Sequence, residues 1–286
     1  MKIFNGKRAS QKILKELAEK IKTEKLRPVL AVVMVGDNEA SKLYIKLKKE
    51  AAQKVGIELK ESKFSEQAGD EEIINKIKQL NENNQIHGII IQSPLPAVFD
   101  SQCILDTISP QKDVDGFHKE NRRLLGKGGT PHFLPVLPLA ILTSLADAVK
   151  NKLVSLKDKN ILALVNSEIF GATLKLVLEK ENVPLKYQVR NTCIVLGIEK
   201  EILSADVLIS VCGCANLIKG EMIKQDAILI DAGITRYCDG KVVGDVNRKS
   251  VENRASFLTP VPGGIGPLTV ALLLRNVYLA AAKNVS

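Results

Sequence analysis

The chain has 286 residues, of which 45% are hydrophobic, enough to fill more than one buried core. Its 41 basic and 32 acidic residues give a net charge of +9, which favours an anionic partner such as a phosphate or a carboxylate. Aromatic residues make up only 4% of the chain and no run of five basic residues occurs, so a nucleic-acid-binding module is not expected.

The cysteines and the amino-terminal sequence predict a compartment and argue against a metal site. The chain has five cysteines, an odd number with no disulfide framework, so we expect reduced intracellular thiols that pack as small hydrophobic residues. Cys212 and Cys214 lack C-x-x-C spacing and the chain has only three histidines, so no metal is expected. No signal-peptide pattern is present, and no apolar run approaches the ~20 residues that cross a bilayer. We therefore expect a cytoplasmic protein that binds neither a membrane nor a nucleic acid.

The first half of the chain alternates helical and strand-like patterns. The predicted elements are a helix over 8–26, a strand over 28–35, a helix over 41–55, a strand over 57–64, a helix over 70–83 and a strand over 86–92. This order predicts a parallel sheet with right-handed connections and helices on both faces.

Polar side chains lie where these strands are predicted to end. Tyr44 and Lys48 are four residues apart, which on a helix places a phenol and an ammonium on one face beside a strand end. Alone, such a pair on a lysine-rich helix is more often solvated surface. Gln92 closes the next buried strand before a Pro-rich turn, and Asp115 follows in a polar loop. If the topology is correct, these four side chains share one sheet edge.

The second half begins after a glycine- and proline-rich segment, 126–138, that we expect to connect two domains. It then contains a helix over 139–149, a strand over 160–165, a helix over 171–181 and strands over 185–189, 206–211 and 227–232. This order predicts a Rossmann-like dinucleotide-binding domain. A loop rich in proline and glycine, 259–267, precedes a last apolar helix and allows a ligand to approach the backbone closely.

Several motifs, in this order along almost the whole chain, resemble those of the bifunctional methylenetetrahydrofolate dehydrogenase/methenyltetrahydrofolate cyclohydrolase family. They are Val35-Gly36-Asp37 with Ala40-Ser41-x-x-Tyr44-x-x-x-Lys48, Gln92-Ser93-Pro94-Leu95-Pro96, Lys112-Asp113-Val114-Asp115-Gly116-Phe117-His118, Asp231-Ala232-Gly233-Ile234, Gly244-Asp245-Val246 and Thr259-Pro260-Val261-Pro262-Gly263-Gly264-Ile265-Gly266-Pro267. The resemblance implies an α/β protein with two domains and a cleft between them. One is a catalytic, folate-binding domain over 1–137, completed by a carboxyl-terminal helix over 267–286. The other is a Rossmann-like NAD(P)-binding domain over 138–266, and by analogy the protein is a homodimer.

The resemblance also implies roles at the folate site. Lys48 is the general acid and base, Tyr44 stacks near the pterin and p-aminobenzoyl groups, Gln92 hydrogen-bonds Lys48, and Asp115 anchors the pterin. Further substrate-binding residues lie in the loop before the last helix: Pro262, Gly263 and Gly264. A lysine desolvated against Tyr44 and a strand end should have a lowered pKa, as proton transfer near neutral pH requires.

The chain departs from the family pattern at the first strand-to-helix turn of the second domain. The family's Gly-Arg-Ser is replaced by Val165-Asn166-Ser167, and Glu168 follows. We expect Val165 to be penalised if the turn needs a positive φ, and Asn166 removes the positive charge that a 2′-phosphate would contact. Glu168 adds a negative charge at a helix start where phosphate should bind. These changes predict loss or severe weakening of dinucleotide binding.

Arg190 leaves the opposite outcome open. It stands about where a Rossmann fold contacts the ribose, so a rearranged site could still hold NADP. The predicted cofactor-binding residues are Ser167, Gly171, Arg190, Gly213 and Thr269.

Three functions follow. The leading prediction is a methenyltetrahydrofolate cyclohydrolase, active in one-carbon metabolism, whose NADP-dependent dehydrogenase step is weakened or lost. One alternative is a fully bifunctional enzyme with altered NAD(P) binding. Another is a non-enzymatic folate-binding or regulatory paralogue, against which Lys48 argues, because binding alone needs no tuned amine.

Overall fold

The computed structural model describes residues 1–190 and 192–283 and divides into two compact α/β units. One unit, the six-stranded unit, comprises Met1–Ala9 and Leu137–Thr269. The other, the three-stranded unit, comprises Ser10–Val136 and the chain from Val270 onward. The predicted α/β class with a Rossmann-like second half is confirmed. The amino terminus differs from the predicted boundaries, because Lys2–Ile3 pairs with a strand of the six-stranded unit.

The predicted helices and strands are present, and within the described residues their ends differ from the sequence-based bounds by at most three residues. Residues 284–286 of the predicted carboxyl-terminal helix over 267–286 lie outside the described residues. Helices α1 to α10 span Gly6–Thr23, Glu39–Val55, Asp70–Glu82, Ser101–Leu105, Lys119–Gly126, Val136–Ala148, Glu168–Lys180, Glu199–Ser204, Arg248–Val251 and Ile265–Lys283. Strands β1 to β11 span Lys2–Ile3, Val29–Val35, Glu58–Phe64, Gly88–Ile91, Ile161–Val165, Lys186–Val189, Val207–Val211, Ile228–Asp231, Thr235–Arg236, Val242–Val243 and Phe257–Leu258. Short 3₁₀ helices lie at Leu153–Leu156 and Gly220–Met222.

The sheet of the three-stranded unit is parallel, with the order β3-β2-β4. All seven residues of β2 are apolar and buried, as a central strand covered on both faces requires. β3 lies at the edge and has exposed positions along its length. Because the strands are parallel, the turns that follow β2 and β4 leave the same edge of the sheet.

The sheet of the six-stranded unit is also parallel, with the order β1-β11-β8-β7-β5-β6. β5 lies between β6 and β7, so the chain leaves β5 toward one side and later continues on the other. This reversal is the switch point at which Rossmann-like sheets bind ligands. Val165 at the end of β5 is in register with Val189 of β6 and Val211 of β7, so the three strands end level.

Helix α10 qualifies the expectation about membrane-spanning segments. It is the one helix among the described residues that is long and apolar enough to cross a membrane by length and composition. However, 61% of its apolar window is buried inside the fold, which is the arrangement of a core helix.

The prediction that all five cysteines are reduced and buried is wrong. Cys193 and Cys214 form a disulfide, with their Cα atoms 5.3 Å apart. Cys103 and Cys238 are exposed, and Cys212 is half-buried. An odd number of cysteines does not exclude one bridge, and only the fold brings the loops after β6 and β7 together.

Candidate active site

The turn after β2 directs helix α2 away from the sheet edge. Gly36 has φ +80°, a conformation that favours glycine, and its N–H donates to the Phe64 carbonyl at 2.9 Å. The Asn38 side chain then accepts from the Ser41 N–H at 3.1 Å and caps the helix start. The local sequence therefore fixes where the next turns of α2 lie.

Lys48 on α2 contacts Gln92, which directly follows β4. The Lys48 Nζ donates to the Gln92 Oε1 at 2.9 Å. The Gln92 Nε2 donates to the Ser93 carbonyl at 2.8 Å, so the amide oxygen is the end that faces the lysine. Gln92 is 7% exposed. The hydrogen bond that the family resemblance implies is present in the structure, and a buried amide with both ends engaged orients the amine.

Asp115 is carried to the same sheet edge by its neighbours. Asp113 forms a parallel bridge with Ile89 of β4, and the Ile89 N–H donates to the Lys112 carbonyl at 2.8 Å. The chain turns directly after this bridge, since the Gly116 N–H donates to the Asp113 carbonyl at 3.2 Å, and Asp115 lies in that turn, within electrostatic range of Lys48. Gly116 then turns the chain at φ +82°, and a Cβ there would lie 2.7 Å from the Pro135 Cα.

The two carboxylates of this loop have different roles. Asp113 is 1% exposed, and its side chain accepts from the Gly116 N–H at 3.1 Å, the His118 N–H at 2.7 Å and the Asn121 Nδ2 at 3.1 Å. It therefore holds the loop closed. Asp115 is half-buried and is the carboxylate that interacts electrostatically with Lys48. The family resemblance had assigned the substrate role to Asp115, and the structural role of Asp113 emerges only from its hydrogen bonds.

Burial perturbs the pKa values of Lys48 and Asp115 in opposite directions. Desolvation lowers the pKa of Lys48 below its ordinary value, and the nearby Asp115 charge partly offsets this. Desolvation raises the pKa of Asp115 to about 6, while the Lys48 charge lowers it and Asp113 raises it further. A larger fraction of the amine is therefore neutral near neutral pH than in a solvated lysine, which is the direction that the sequence predicted.

Tyr44 lies one helical turn before Lys48 on α2 and is half-buried. Four of the predicted site residues, Lys48, Tyr44, Gln92 and Asp115, therefore belong to one unit, and a hydrogen bond or electrostatic interaction links three of them.

The predicted substrate-binding loop belongs to the six-stranded unit. Gly263 has φ +104°, and a Cβ on Gly264 would lie 2.6 Å from the Pro260 carbonyl oxygen. The Gly264 N–H donates to that carbonyl at 2.8 Å. Pro262 follows a cis peptide bond. The close packing of the loop backbone explains why these positions carry glycine.

The turn after β5 differs from the sequence-based expectation. Val165 is buried within β5 and does not have a positive φ, so the predicted conformational penalty is wrong. Ser167 caps α7, and its Oγ accepts from the Phe170 N–H at 3.2 Å. Glu168 accepts a hydrogen bond from the Tyr187 hydroxyl. Its charge is engaged with β6 as well as with the helix start.

Gly171 serves packing between α7 and β6. A Cβ at this position would lie 2.5 Å from the Tyr187 Cδ2. The close approach of helix to strand accounts for the glycine, as in the third glycine of Rossmann turns.

Arg190 is placed where an anionic cofactor group could meet it. Its N–H donates to the Val165 carbonyl at 2.7 Å, so it lies directly beside the end of β5. The side chain is half-buried, and its Nε has no hydrogen-bond partner among residues 1–190 and 192–283. Gly213 follows β7 at φ +70°, and the Thr269 Oγ1 donates to the Gly266 carbonyl at 2.7 Å. This Nε is itself buried, so a phosphate would have to contact the terminal nitrogens of the half-buried guanidinium.

Two of the family motifs contain buried carboxylates that organise the loop after β7, a role that the sequence did not indicate. The Asp245 carboxylate accepts from the Ser210 Oγ at 2.7 Å and from three backbone N–H groups, those of Cys212, Gly213 and Cys214. Asp231 accepts from the backbone N–H groups of Gly233, Asp245 and Val246. Burial, together with the Asp245 charge, raises the pKa of Asp231 to about 7. The glycines in the two motifs could have indicated this packing, because each one faces the carboxylate of the other motif. A Cβ at Gly233 would lie 2.0 Å from an atom of the Asp245 carboxylate, and one at Gly244 would lie 2.0 Å from an atom of the Asp231 carboxylate.

Comparisons with known proteins match both halves of the chain. Residues 4–115 match the tetrahydrofolate dehydrogenase/cyclohydrolase catalytic domain, and residues 138–285 match the NAD(P)-binding domain of the same family. The bifunctional protein FolD of Nautilia profundicola is 39% identical over 292 residues, covering 99% of this chain and 98% of the relative. That of Oceanobacillus iheyensis is 39% identical over 284 residues, covering 98% and 96%.

Solved structures agree. The bifunctional enzyme FolD-methylenetetrahydrofolate dehydrogenase/cyclohydrolase of Campylobacter jejuni has a TM-score of 0.89 at 35% identity, covering 99% of both chains. The Trypanosoma brucei methylenetetrahydrofolate dehydrogenase-cyclohydrolase, complexed with NADP cofactor and inhibitor, has a TM-score of 0.89 at 28% identity, covering 99% and 98%. Since both domain models match in order and full-length relatives align throughout, the chain belongs to the tetrahydrofolate dehydrogenase/cyclohydrolase family.

Proposed function

We propose that the protein is a bifunctional enzyme of folate one-carbon metabolism. It hydrolyses methenyltetrahydrofolate to 10-formyltetrahydrofolate and oxidises methylenetetrahydrofolate with a dinucleotide. The hydrogen bond between Lys48 and Gln92, beside Asp115, is the observation that carries the proposal. Relatives that are named bifunctional support both activities. They favour the bifunctional alternative over the prediction of a weakened dehydrogenase and over a non-enzymatic paralogue.

The hydrolytic step follows from the perturbed amine. Water attacks the methenyl carbon between two ring nitrogens, and neutral Lys48 accepts a proton from that water. The resulting ammonium gives that proton to the nitrogen that leaves as the C–N bond breaks, and the remaining hydroxyl proton passes to solvent as the formyl C=O forms. The lowered pKa of Lys48 makes the neutral form accessible, and Gln92 orients it without itself ionising. Ionised Asp115 can accept two hydrogen bonds from the pterin amino and ring nitrogens.

The cofactor residues fit a dinucleotide in part. Arg190 would hold the 2′-phosphate of NADP. It would thereby supply the positive charge that is absent at Asn166. The loop over Cys212–Cys214, held by Asp245, would support the remainder of the molecule at the end of β7. A bound dinucleotide supplies the hydride acceptor for the oxidation. The protein's contribution is to bind and orient the dinucleotide.

Substitution of Lys48 tests the hydrolytic part. Lys48→Met should abolish hydrolysis of methenyltetrahydrofolate, while circular dichroism stays unchanged. Lys46→Met is the matched control, because Lys46 is exposed on the same helix and should keep wild-type activity. If the wild type does not hydrolyse methenyltetrahydrofolate, or if Lys48→Met remains active, the proposal fails.

The dehydrogenase part needs a separate measurement. Protein whose Cys193–Cys214 disulfide has been reduced with a dithiol should convert NADP to its reduced form in the presence of methylenetetrahydrofolate. If neither NADP nor NAD binds at millimolar concentration, this part is wrong while the hydrolase stands.

A further inference from the structure

The disulfide joins the two loops that flank the end of β5. Cys193 lies four residues after Val189, the end of β6, and Cys214 lies three residues after Val211, the end of β7. Both strand ends are level with Val165 of β5. The disulfide therefore links the two neighbours of the central strand on its carboxyl side.

This placement has a geometric consequence. Neighbouring strands lie about 4.8 Å apart, so the ends of β6 and β7 are about 10 Å apart with β5 between them. A bridge between their loops must pass beyond the carboxyl end of β5. That edge, at the switch point, is where a Rossmann-like sheet binds its dinucleotide.

We propose that the Cys193–Cys214 disulfide is a redox-controlled strap that obstructs dinucleotide binding at the end of β5 and that a dithiol reductant opens. The inference rests on the proposed dehydrogenase function. It explains how a member of a bifunctional family can carry a disulfide across the sheet edge at which its dinucleotide is expected to bind. The hydrolytic residues lie in the other unit and do not depend on the strap.

The two ends of the strap differ in how firmly they are held. Cys214 is 6% exposed, and its N–H donates to the Asp245 Oδ1 at 2.7 Å, within the carboxylate network that fixes the loop after β7. Cys193 is exposed, and so are Ile194 and Leu196 in the same loop. Val195 packs against the core of the unit, so reduction releases the loop after β6 only at Cys193 and its exposed neighbours, while the loop after β7 stays anchored.

The chemistry is thiol–disulfide exchange with a dithiol. A thiolate of the reductant attacks the exposed Cys193 sulfur, the S–S bond breaks, and Cys214 leaves as a thiolate that takes up a proton. The second thiol of the reductant attacks the mixed disulfide and releases Cys193 as a thiol. Two electrons and two protons pass to the protein, and the dithiol becomes a disulfide. Cys212 competes poorly, because burial raises its pKa to about 11 and the reactive species is the thiolate.

The test compares oxidised and dithiothreitol-reduced full-length protein. Titration under denaturing conditions should find three thiols after oxidation, since two of the five cysteines form the disulfide, and five after reduction. Calorimetric titration with NADP should show about tenfold or more tighter binding to the reduced protein. Cys193→Ser should bind like reduced wild type in both conditions. Cys238→Ser is the control, because this exposed cysteine lies outside the bridge and the variant should respond to reduction as the wild type does.

Hydrolysis of methenyltetrahydrofolate serves as the folding control and should be equal in all samples. If Cys193→Ser loses hydrolysis, Cys193→Ala replaces it, because Cys193 is exposed and lies outside the loop assigned to the dinucleotide. Equal NADP affinity of oxidised and reduced wild type overturns the strap alone, and so does a count of five thiols after oxidation. Absence of NADP binding in every sample overturns the strap and the proposed dehydrogenase function together, while hydrolysis remains as evidence for the other activity.

Discussion

Replacing Gln92 should move the pH profile of hydrolysis in a direction set by the replacement. Lys48 donates to the Gln92 amide oxygen at 2.9 Å, and this acceptor stabilises the ammonium more than the neutral amine. Gln92→Met removes the acceptor at similar volume and should lower the pKa of Lys48 further. Gln92→Glu places a negative charge there and should raise it.

The size of the shift follows from hydrogen-bond energies. A hydrogen bond from a charged donor contributes about 1.5–3 kcal/mol, and one from a neutral donor about 0.5–1.5 kcal/mol. The difference, about 1 to 1.5 kcal/mol, corresponds to about 1 pH unit at 1.36 kcal/mol per unit. Because neutral Lys48 is the base, the rate rises through its pKa. The acidic limb of the pH–rate profile should therefore shift about 1 pH unit lower in Gln92→Met and should shift to higher pH in Gln92→Glu.

The assay is the pH dependence of kcat for methenyltetrahydrofolate hydrolysis at saturating substrate. Both variants should also have a reduced maximal rate, because the amine loses its fixed orientation. If the limb stays in place in both variants, Lys48 is not the titrating base. If it moves the same way in both, the shift reflects general disturbance of the site and the reasoning from hydrogen-bond acceptance is refuted.

Other substitutions test other parts of the structure. The raised pKa of Asp115 means that the folded state keeps the carboxyl protonated up to about pH 6, whereas the unfolded state loses this proton near pH 4. The free energy of unfolding therefore falls as pH rises from about 4 to 6. Asp115→Asn should remove about 1 kcal/mol of that fall, after discounting for the partial exposure of Asp115, and should raise KM for folate. Urea unfolding at several pH values checks the stability effect, and an unchanged pH dependence would contradict it. Arg190→Gln should weaken NADP binding to reduced protein about tenfold while changing NAD binding less, as calorimetry would show; equal losses would rule out a phosphate contact. Gly171→Ala should destabilise by about 1–3 kcal/mol in urea, because its Cβ would meet the Tyr187 ring at 2.5 Å. Gly266→Ala is the control for that measurement, since a Cβ there has nothing within 4 Å, and a comparable loss would show that the effect is not steric.

Much of the fold was predictable because its long elements have regular patterns. The seven apolar residues of β2 are too few for a typical helix and include four valines, so they predict a buried strand, and the alternation with amphipathic helices predicts a parallel sheet. By contrast, β1 and β11 have two residues each, too few to show a period. Their pairing carries the amino terminus into the six-stranded unit, which no local pattern indicated.

The candidate site was predictable in its members and less so in their roles. The spacing of Tyr44 and Lys48 and the polar residue ending β4 pointed to one edge. The structural role of Asp113 needed the fold, since it rests on hydrogen bonds from the His118 N–H and the Asn121 side chain that form only in the closed loop.

The sequence by itself determined the strands, the helices and the chemistry available at the sheet edges, because periodicity and residue type are local properties. Only the tertiary structure decided which distant groups meet. It turned the Gln92 oxygen toward Lys48, showed Val165 to be an unstrained strand residue, and joined Cys193 to Cys214 across the end of β5. Each of these depends on contacts between segments far apart in the chain, which the order of strands in the sheet creates.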